Sequence, residues 1–261
     1  MTAADRLVYH LGLRASDLEG ARVALLPGDP GRVEGLARTA PLDGARELAS
    51  KREYRTWIAY ARGVPILITS TGIGGPSASI AIDELAQIGI RTMIRVGTTG
   101  AIQPHARVGH VIVTTGAVRL DGASTHYAPI EYPAVAHHEV VNALIAAAAD
   151  AGVRAHPGIT CTCDTFYPGQ ERYDSFTGYV PRRFQGITEE WRRLGVLNYE
   201  MEAATLLTLA STMGLRAGCA AGVVVNRTEG EHVTPDALAA GEHNALLVAV
   251  GAAVRLCAAP Q

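Results

Sequence analysis

Charge is scarce in this chain. Asp, Glu, Lys and Arg make up 18% of its 261 residues, and the two signs nearly cancel to a net charge of −2. Such a balance predicts no broad basic surface for nucleic acid or an anionic membrane. No apolar run is expected to reach the length of a membrane span. Met1 to His10 carries Asp5, Arg6 and His10 and lacks the apolar core of a secretory signal, so a cytoplasmic location is expected. Cysteines number only four: Cys161, Cys163, Cys219 and Cys257. Cys161 and Cys163 alternate in an apparent strand, with no second pair at zinc-ligand spacing. The nine histidines are scattered without a His-Glu-x-x-His pattern. Reduced, mostly buried thiols are therefore expected. Repeats, low-complexity tracts and charged linkers are also missing.

The rest of the composition is globular, since 48% of residues are apolar. The length suits one large α/β domain or two small ones. Continuous apolar runs at 21–26, 65–70, 92–96, 111–115, 158–163 and 218–225 predict strands buried on both faces. Such strands suit a parallel or mixed sheet with helices on both sides. Amphipathic stretches predict helices over 77–88, 138–151, 188–194, 203–213 and 237–256. Pro76 precedes the first and Gly89 follows it, the usual proline-early, glycine-late asymmetry. Three segments, 103–109, 120–133 and 166–183, read as irregular excursions, where function commonly resides. Nothing divides the chain, so a single domain over residues 1–261 is expected.

One segment concentrates recognition chemistry: Asp164-Thr165-Phe166-Tyr167-Pro168-Gly169-Gln170-Glu171-Arg172-Tyr173-Asp174. Gln170 and Arg172 lie two apart, so on an extended backbone they point the same way. An amide offers a donor and an acceptor, and a guanidinium only donors. Together they could read a carbonyl, N–H, carbonyl edge such as that of uracil, with Phe166 against the ring. A polar surface turn at Pro168-Gly169 explains the same residues.

Four further sites recur where a strand ends in glycine and polar residues. Pro27-Gly28-Asp29-Pro30-Gly31-Arg32 is a turn feeding a helix, able to offer backbone N–H groups and one guanidinium to an anion. Ser70-Thr71-Gly72-Ile73-Gly74-Gly75-Pro76-Ser77 invites a dinucleotide-fingerprint reading. Ser77 stands where the third glycine belongs, however, and Arg95 stands where the acidic residue should be. NAD and FAD are not expected. Arg95 lies inside an apolar strand ahead of Gly97-Thr98-Thr99-Gly100, which calls for an anion or a structural carboxylate beside it. Asn198-Tyr199-Glu200-Met201-Glu202 sits at a strand-to-helix junction. There a carboxylate could accept two adjacent sugar hydroxyls, or simply favour the start of a helix.

As a set these residues resemble the uridine phosphorylases, the pyrimidine branch of the nucleoside phosphorylase-I family. The resemblance runs over nearly the whole chain. It includes Tyr9-His10-Leu11-Gly12-Leu13, Ser50-Lys51-Arg52-Glu53, Val118-Arg119-Leu120-Asp121-Gly122-Ala123-Ser124 and Val225-Asn226-Arg227-Thr228, besides the motifs above. It implies an α/β fold with a mixed, partly barrel-like central β-sheet flanked by helices. The implied reaction is reversible phosphorolysis of uridine, or 2′-deoxyuridine, to uracil and the sugar 1-phosphate. By this resemblance Gly28, Arg32, Arg95 and Thr98 hold phosphate, and Arg52 completes that site from a neighbouring subunit. His10 crosses the same interface to the ribose, which Thr98, Glu200, Met201 and Glu202 of the chain's own site also bind. Phe166, Gln170 and Arg172 bind uracil. The implied catalytic set is Arg172, Gln170, Arg95 and Thr98. A homohexamer, a trimer of dimers, is implied, with a monovalent cation such as K+ at Glu53, Ile73 and Ser77. No cofactor is required, and phosphate is the co-substrate.

The chain departs from the family at the flap after Thr228. Relatives carry an aliphatic residue followed by proline where His232-Val233 stand here, which predicts a wetter, more mobile flap. Within the same fold the competing readings are a nucleoside hydrolase and a purine phosphorylase. Arg32, Arg52 and Arg95 argue against the first, since water needs no such charge. The purine branch places an aspartate where Asn226-Arg227 stand. A non-catalytic nucleoside sensor is the remaining alternative.

Overall fold

The computed structural model describes residues 5–258. Its strands are β1 (Val23–Pro27), β2 (Asp43–Lys51), β3 (Tyr54–Ala61), β4 (Val64–Thr69), β5 (Thr92–Ala101), β6 (Val111–Leu120), β7 (Ala134–Val135), β8 (Ala155–Cys163), β9 (Val196–Glu200) and β10 (Arg216–Asn226). Among the described residues the α-helices are α1 (Val33–Ala37), α2 (Gly75–Gln87), α3 (His138–Asp150), α4 (Ile187–Arg193), α5 (Ala203–Thr212) and α6 (Pro235–Ala258). β5 pairs with β10, β10 with β6, β6 with β8, β8 with β9, and β9 with β5 again. That circuit closes a mixed five-stranded barrel. From β5 the sheet continues outward through β1, β4, β3 and β2. The mixed, partly barrel-like α/β architecture expected from the sequence is the one observed.

Apolar packing holds the two faces. On one, Val248, Ala249 and Ala252 of α6 and Val140 and Leu144 of α3 meet Ile94, Val96, Val111 and Val113. On the other, Ile82 and Leu85 of α2 and Leu206 and Leu207 of α5 meet Ala24, Leu26, Leu67 and Met93. Each fully buried Leu or Ile contributes about 1.5–3 kcal/mol. α6 approaches β10 backbone to backbone. A Cβ added at Gly222 would lie 1.9 Å from the carbonyl oxygen of Gly241. α6 is also long and apolar enough to cross a membrane by length and composition, contrary to the expectation that no such run exists. In this fold its Ala245, Val248, Ala249 and Ala252 belong to the core.

The hairpin of β2 and β3 was not expected from apolar runs. β2 is largely exposed and carries Arg46, Glu47 and Lys51, charges that blunt a sheet edge. Its hairpin with β3 turns at Arg52, whose φ is +56°. Inside the barrel, hydroxyls and an amide replace apolar packing. Thr114 shares a 2.7 Å hydrogen bond with Thr160, Thr160 donates to Asn198, and the Asn198 amide donates to Thr99. This chain ties β6, β8, β9 and β5 in register, so the residues that follow β5 and β9 emerge side by side.

The excursion over residues 120–133 is held structurally. The buried Arg119 guanidinium donates to the carbonyls of Ala128, Pro129 and Tyr132 and to the Ser124 hydroxyl. Asp121 accepts from Ser124 and from Thr205 of α5.

Candidate active site

The carboxyl ends of β1, β5 and β9 open into one cleft of about 740 Å³, the size of a small-molecule site. Of the residues singled out from sequence, Gly28, Arg32, Glu53, Ile73, Arg95, Thr98, Phe166, Gln170, Arg172, Glu200, Met201 and Glu202 line it. His10, Arg52 and Ser77 do not.

At one end, the turn after β1 passes close to the turn after β4. Gly72 donates its N–H to the carbonyl of Gly28 at 2.9 Å. A Cβ at Gly28 would stand 3.3 Å from the Gly72 oxygen and 3.9 Å from Nη1 of Arg95. The Asp29 carboxylate accepts from Gly31 N–H at 2.7 Å and shapes the turn that presents Arg32. Burial pulls the Arg32 pKa down, opposed by Glu242, whose Oε1 lies 3.4 Å away.

Arg95 stands in the middle. Its Nε donates to Glu200 at 2.9 Å, and its Nη2 forms a close ion pair with Glu202. Burial opposes the charge, but Glu202 and Glu200 outweigh it and raise the pKa, so Arg95 stays cationic. Nη1 is buried with no hydrogen-bond partner.

The two carboxylates differ in what they have left to offer. Glu200 accepts from Arg95, from Thr162 Oγ1, and from the N–H groups of Glu202 and Ala203 at the start of α5. Its lone pairs are spent on holding Arg95 and capping that helix. Glu202 Oε1 accepts from the Gly74 N–H at the start of α2, at 2.6 Å. Its Oε2 sits beside Arg95 without an aligned hydrogen bond. Burial raises the Glu202 pKa, against the pull of Arg95.

At the far end, the backbone around Gln170 is not extended as expected. Pro168–Gln170 form a 3₁₀ turn, and Glu171 is left-handed with φ +53°. The reason is local. Glu171 turns outward to accept from the N–H groups of Gly186 and Thr188 at the start of α4, the second at 2.9 Å. Arg172 N–H closes the loop onto the Tyr167 carbonyl at 2.8 Å. A Cβ at Gly169 would fall 2.2 Å from Cys163 Sγ, so only glycine fits there. Gln170 and Arg172 therefore flank a residue that faces away, and both line the cleft. The Arg172 guanidinium lies 4.3 Å over the Phe166 ring, a cation–π contact. Burial and the nearby Arg227 lower its pKa, and Glu231 opposes them.

Two residues of this region were missed by the sequence reading. Glu231, on the flap between β10 and α6, bridges Arg172 and Arg227. Arg227 stood inside a quoted motif, but no signal in the sequence marked its pairing. Asn226 uses its whole amide on structure. It donates to the Gln103 and Ala106 carbonyls and accepts from Thr228 N–H and Oγ1. On the flap, Val233 lines the cleft, and His232 lines a separate groove on its other side.

His10 and Arg52 sit apart from the cleft of their own chain. The His10 Nδ1 lies 2.7 Å from Glu84, which also accepts from the N–H groups of His10 and Leu11. Burial opposes that carboxylate's charge, but these donors lower its pKa. Ser77 Oγ lies 3.1 Å from Glu53 Oε1, 3.2 Å from the Tyr54 hydroxyl and closer still to the Thr71 carbonyl.

Comparison with known proteins agrees with this geometry. A sequence profile of the phosphorylase superfamily matches residues 22–253. The uridine phosphorylase of Escherichia coli (strain K12) is 56% identical over 249 residues, covering 95% of this chain and 98% of the relative. That of Thermococcus kodakarensis is 51% identical over 245 residues, covering 94% and 85%. A guanosine phosphorylase of Halorubrum lacusprofundi is 37% identical over 227 residues, covering 87% of each. A closed mixed barrel, a cleft at its strand ends and a profile match across most of the sequence agree: the chain belongs to the phosphorylase superfamily.

Proposed function

We propose that this chain catalyses the reversible phosphorolysis of uridine, in which uridine and phosphate give uracil and ribose 1-phosphate. It acts as a pentosyltransferase of pyrimidine salvage. Identity above half to uridine phosphorylases over nearly full length supports the substrate. One observation carries the phosphate half of the reading. Nη1 of Arg95 is buried, charged and unpartnered, beside the Gly28 turn and in one cleft with Arg32. A guanidinium N–H in that state costs about 1–3 kcal/mol unless an anion meets it.

Phosphate sits at Gly28, Arg32, Arg95 and Thr98. The ribose lies over Met201, with its hydroxyls donating to Glu202 Oε2, which pairs with Arg95 but accepts no aligned hydrogen bond. Glu200 orients Arg95 instead of facing the sugar, because its lone pairs are already taken. Gln170 accepts from a uracil N–H and donates to a carbonyl, and Arg172 donates to a carbonyl. As the glycosidic bond breaks, positive charge gathers on the sugar and negative charge on the base. Phosphate stabilises the first and attacks it, and Arg172 stabilises the second. Effects of this oxyanion type are worth about 3–4 kcal/mol. The purine alternative loses support because Asn226 has no free donor to give a base.

Arg52, exposed at its hairpin tip, and His10 act on the active site of a second copy, within a homohexamer. The oxygens of Glu53, Ser77, Tyr54 and Thr71 converge with few hydroxyl protons to share. With the exposed Ile73, which lines the same cleft as Glu53, they fit a hard monovalent cation held between copies. The four free thiols accord with a cytoplasmic enzyme. The test compares uridine, 2′-deoxyuridine and inosine as substrates at saturating phosphate, in the wild type and in Arg172→Ala. Uridine is expected to lead, with 2′-deoxyuridine behind it, and the variant is expected to lose that lead. Equal or better use of inosine by the wild type would refute the pyrimidine assignment.

A further inference from the structure

Arg172 is held from behind by a residue that never enters the cleft. Its Nη1 pairs with Glu231 of the flap, and the Phe166 ring covers one guanidinium face. Nε is buried without a partner, whereas Nη2 carries no hydrogen bond and stays accessible. The other oxygen of Glu231 accepts from Nε of Arg227 at 2.5 Å. Arg227 in turn lies 5.3 Å over the Tyr199 ring, with its own Nη1 buried and unpartnered. Two guanidinium groups thus share one carboxylate. Without that carboxylate they would repel, as the lowering of the Arg172 pKa by Arg227 indicates.

From this geometry we infer that Glu231 is a positioning residue for uracil recognition, resting on the reading of Arg172 as the group that meets the base. Glu231 turns Arg172 so that Nη2 faces the cleft, and it ties the flap to the site through the same bond. A closed flap and a correctly aimed guanidinium are then one state. When the flap lifts, Arg172 loses its support and the base loses its donor. A carboxylate competing with uracil for Arg172 would have to occupy the cleft. Glu231 lines the groove on the far side of the flap instead.

Only a group that reaches both guanidinium groups can do this, so Glu231→Gln is the informative variant. It keeps the size of the side chain and removes its charge. Because Glu231 is half exposed on a surface flap, the variant is expected to melt with the wild type. The uridine KM should rise about tenfold, the usual loss for a charge-assisted hydrogen bond. The phosphate KM should not move, and kcat should stay within about threefold. Adding Glu231→Gln to Arg227→Gln should raise KM less than it does alone, since both act through one bond. An unchanged uridine KM in Glu231→Gln would overturn the inference, as would an equal rise in the phosphate KM. Arg172→Ala separates the two levels. If it costs uridine preference while Glu231→Gln costs nothing, only the role of Glu231 falls. If Arg172→Ala leaves that preference intact, the underlying assignment falls with it.

Discussion

Replacing Arg95 by Met separates what this guanidinium does for the fold from what it does for phosphate. The residue is 7% exposed and pairs with Glu200 and Glu202, each 4% exposed. Removing it strands both carboxylates, and breaking a buried pair costs about 3–5 kcal/mol. For a chain of this size that is roughly 6–20 °C in melting temperature. The cost falls unevenly. Glu200 keeps Thr162 and two backbone N–H donors, whereas Glu202 keeps only that of Gly74. Arg95→Met/Glu202→Gln should therefore recover most of the lost melting temperature. It should not recover phosphate affinity, because Nη1 is still gone. Loss of that contact, about 1.5–3 kcal/mol, predicts a phosphate KM roughly 10–150-fold higher in both variants. Thermal melts and phosphate titrations at saturating uridine give the two readouts. A single variant that melts as the wild type, or a double variant whose phosphate KM returns to normal, would refute the reasoning.

The raised pKa of Glu202 carries a sign. A carboxyl raised above its ordinary value of 4.5 favours the folded state fully below that value and loses the advantage as pH climbs through the raised one. Stability should therefore fall from pH 4.5 upward through the window of that group, and Glu202→Gln should flatten this part of the curve. Parallel curves for the two proteins would contradict the assignment. Gly222→Ala should disrupt the contact of β10 with α6, since its Cβ meets backbone at 1.9 Å and neither partner can rotate away. A loss of at least about 1–3 kcal/mol is expected. Gly35→Ala on α1, whose Cβ meets nothing within 4 Å, should be neutral or stabilising in the same melt.

Much of the site was legible because strand ends and glycine turns leave local marks. A charge inside an apolar run flagged Arg95, and the cleft holds Gly28, Arg32, Thr98 and the Phe166–Arg172 loop together. The β2–β3 hairpin was not legible from apolar runs, because an edge strand is selected for charge and not for burial. The geometry of Gln170 and Arg172 was misjudged for a different reason. It depends on Glu171 reaching the start of α4, through contacts 15 and 17 residues away. Glu200 and Glu202 look equivalent in sequence. Only their partners across the barrel show that Glu200 is saturated by hydrogen bonds while Glu202, which also pairs with Arg95, keeps one oxygen without a hydrogen bond. The pairing of Glu231 with two arginines depends likewise on where a flap folds back, which no local pattern encodes.

The fate of phosphate tests the central claim most directly. With uridine and radiolabelled phosphate, the account predicts that label enters ribose 1-phosphate in step with uracil release, and that uracil release stops when phosphate is withheld. Release of uracil and free ribose at an undiminished rate without phosphate would contradict it.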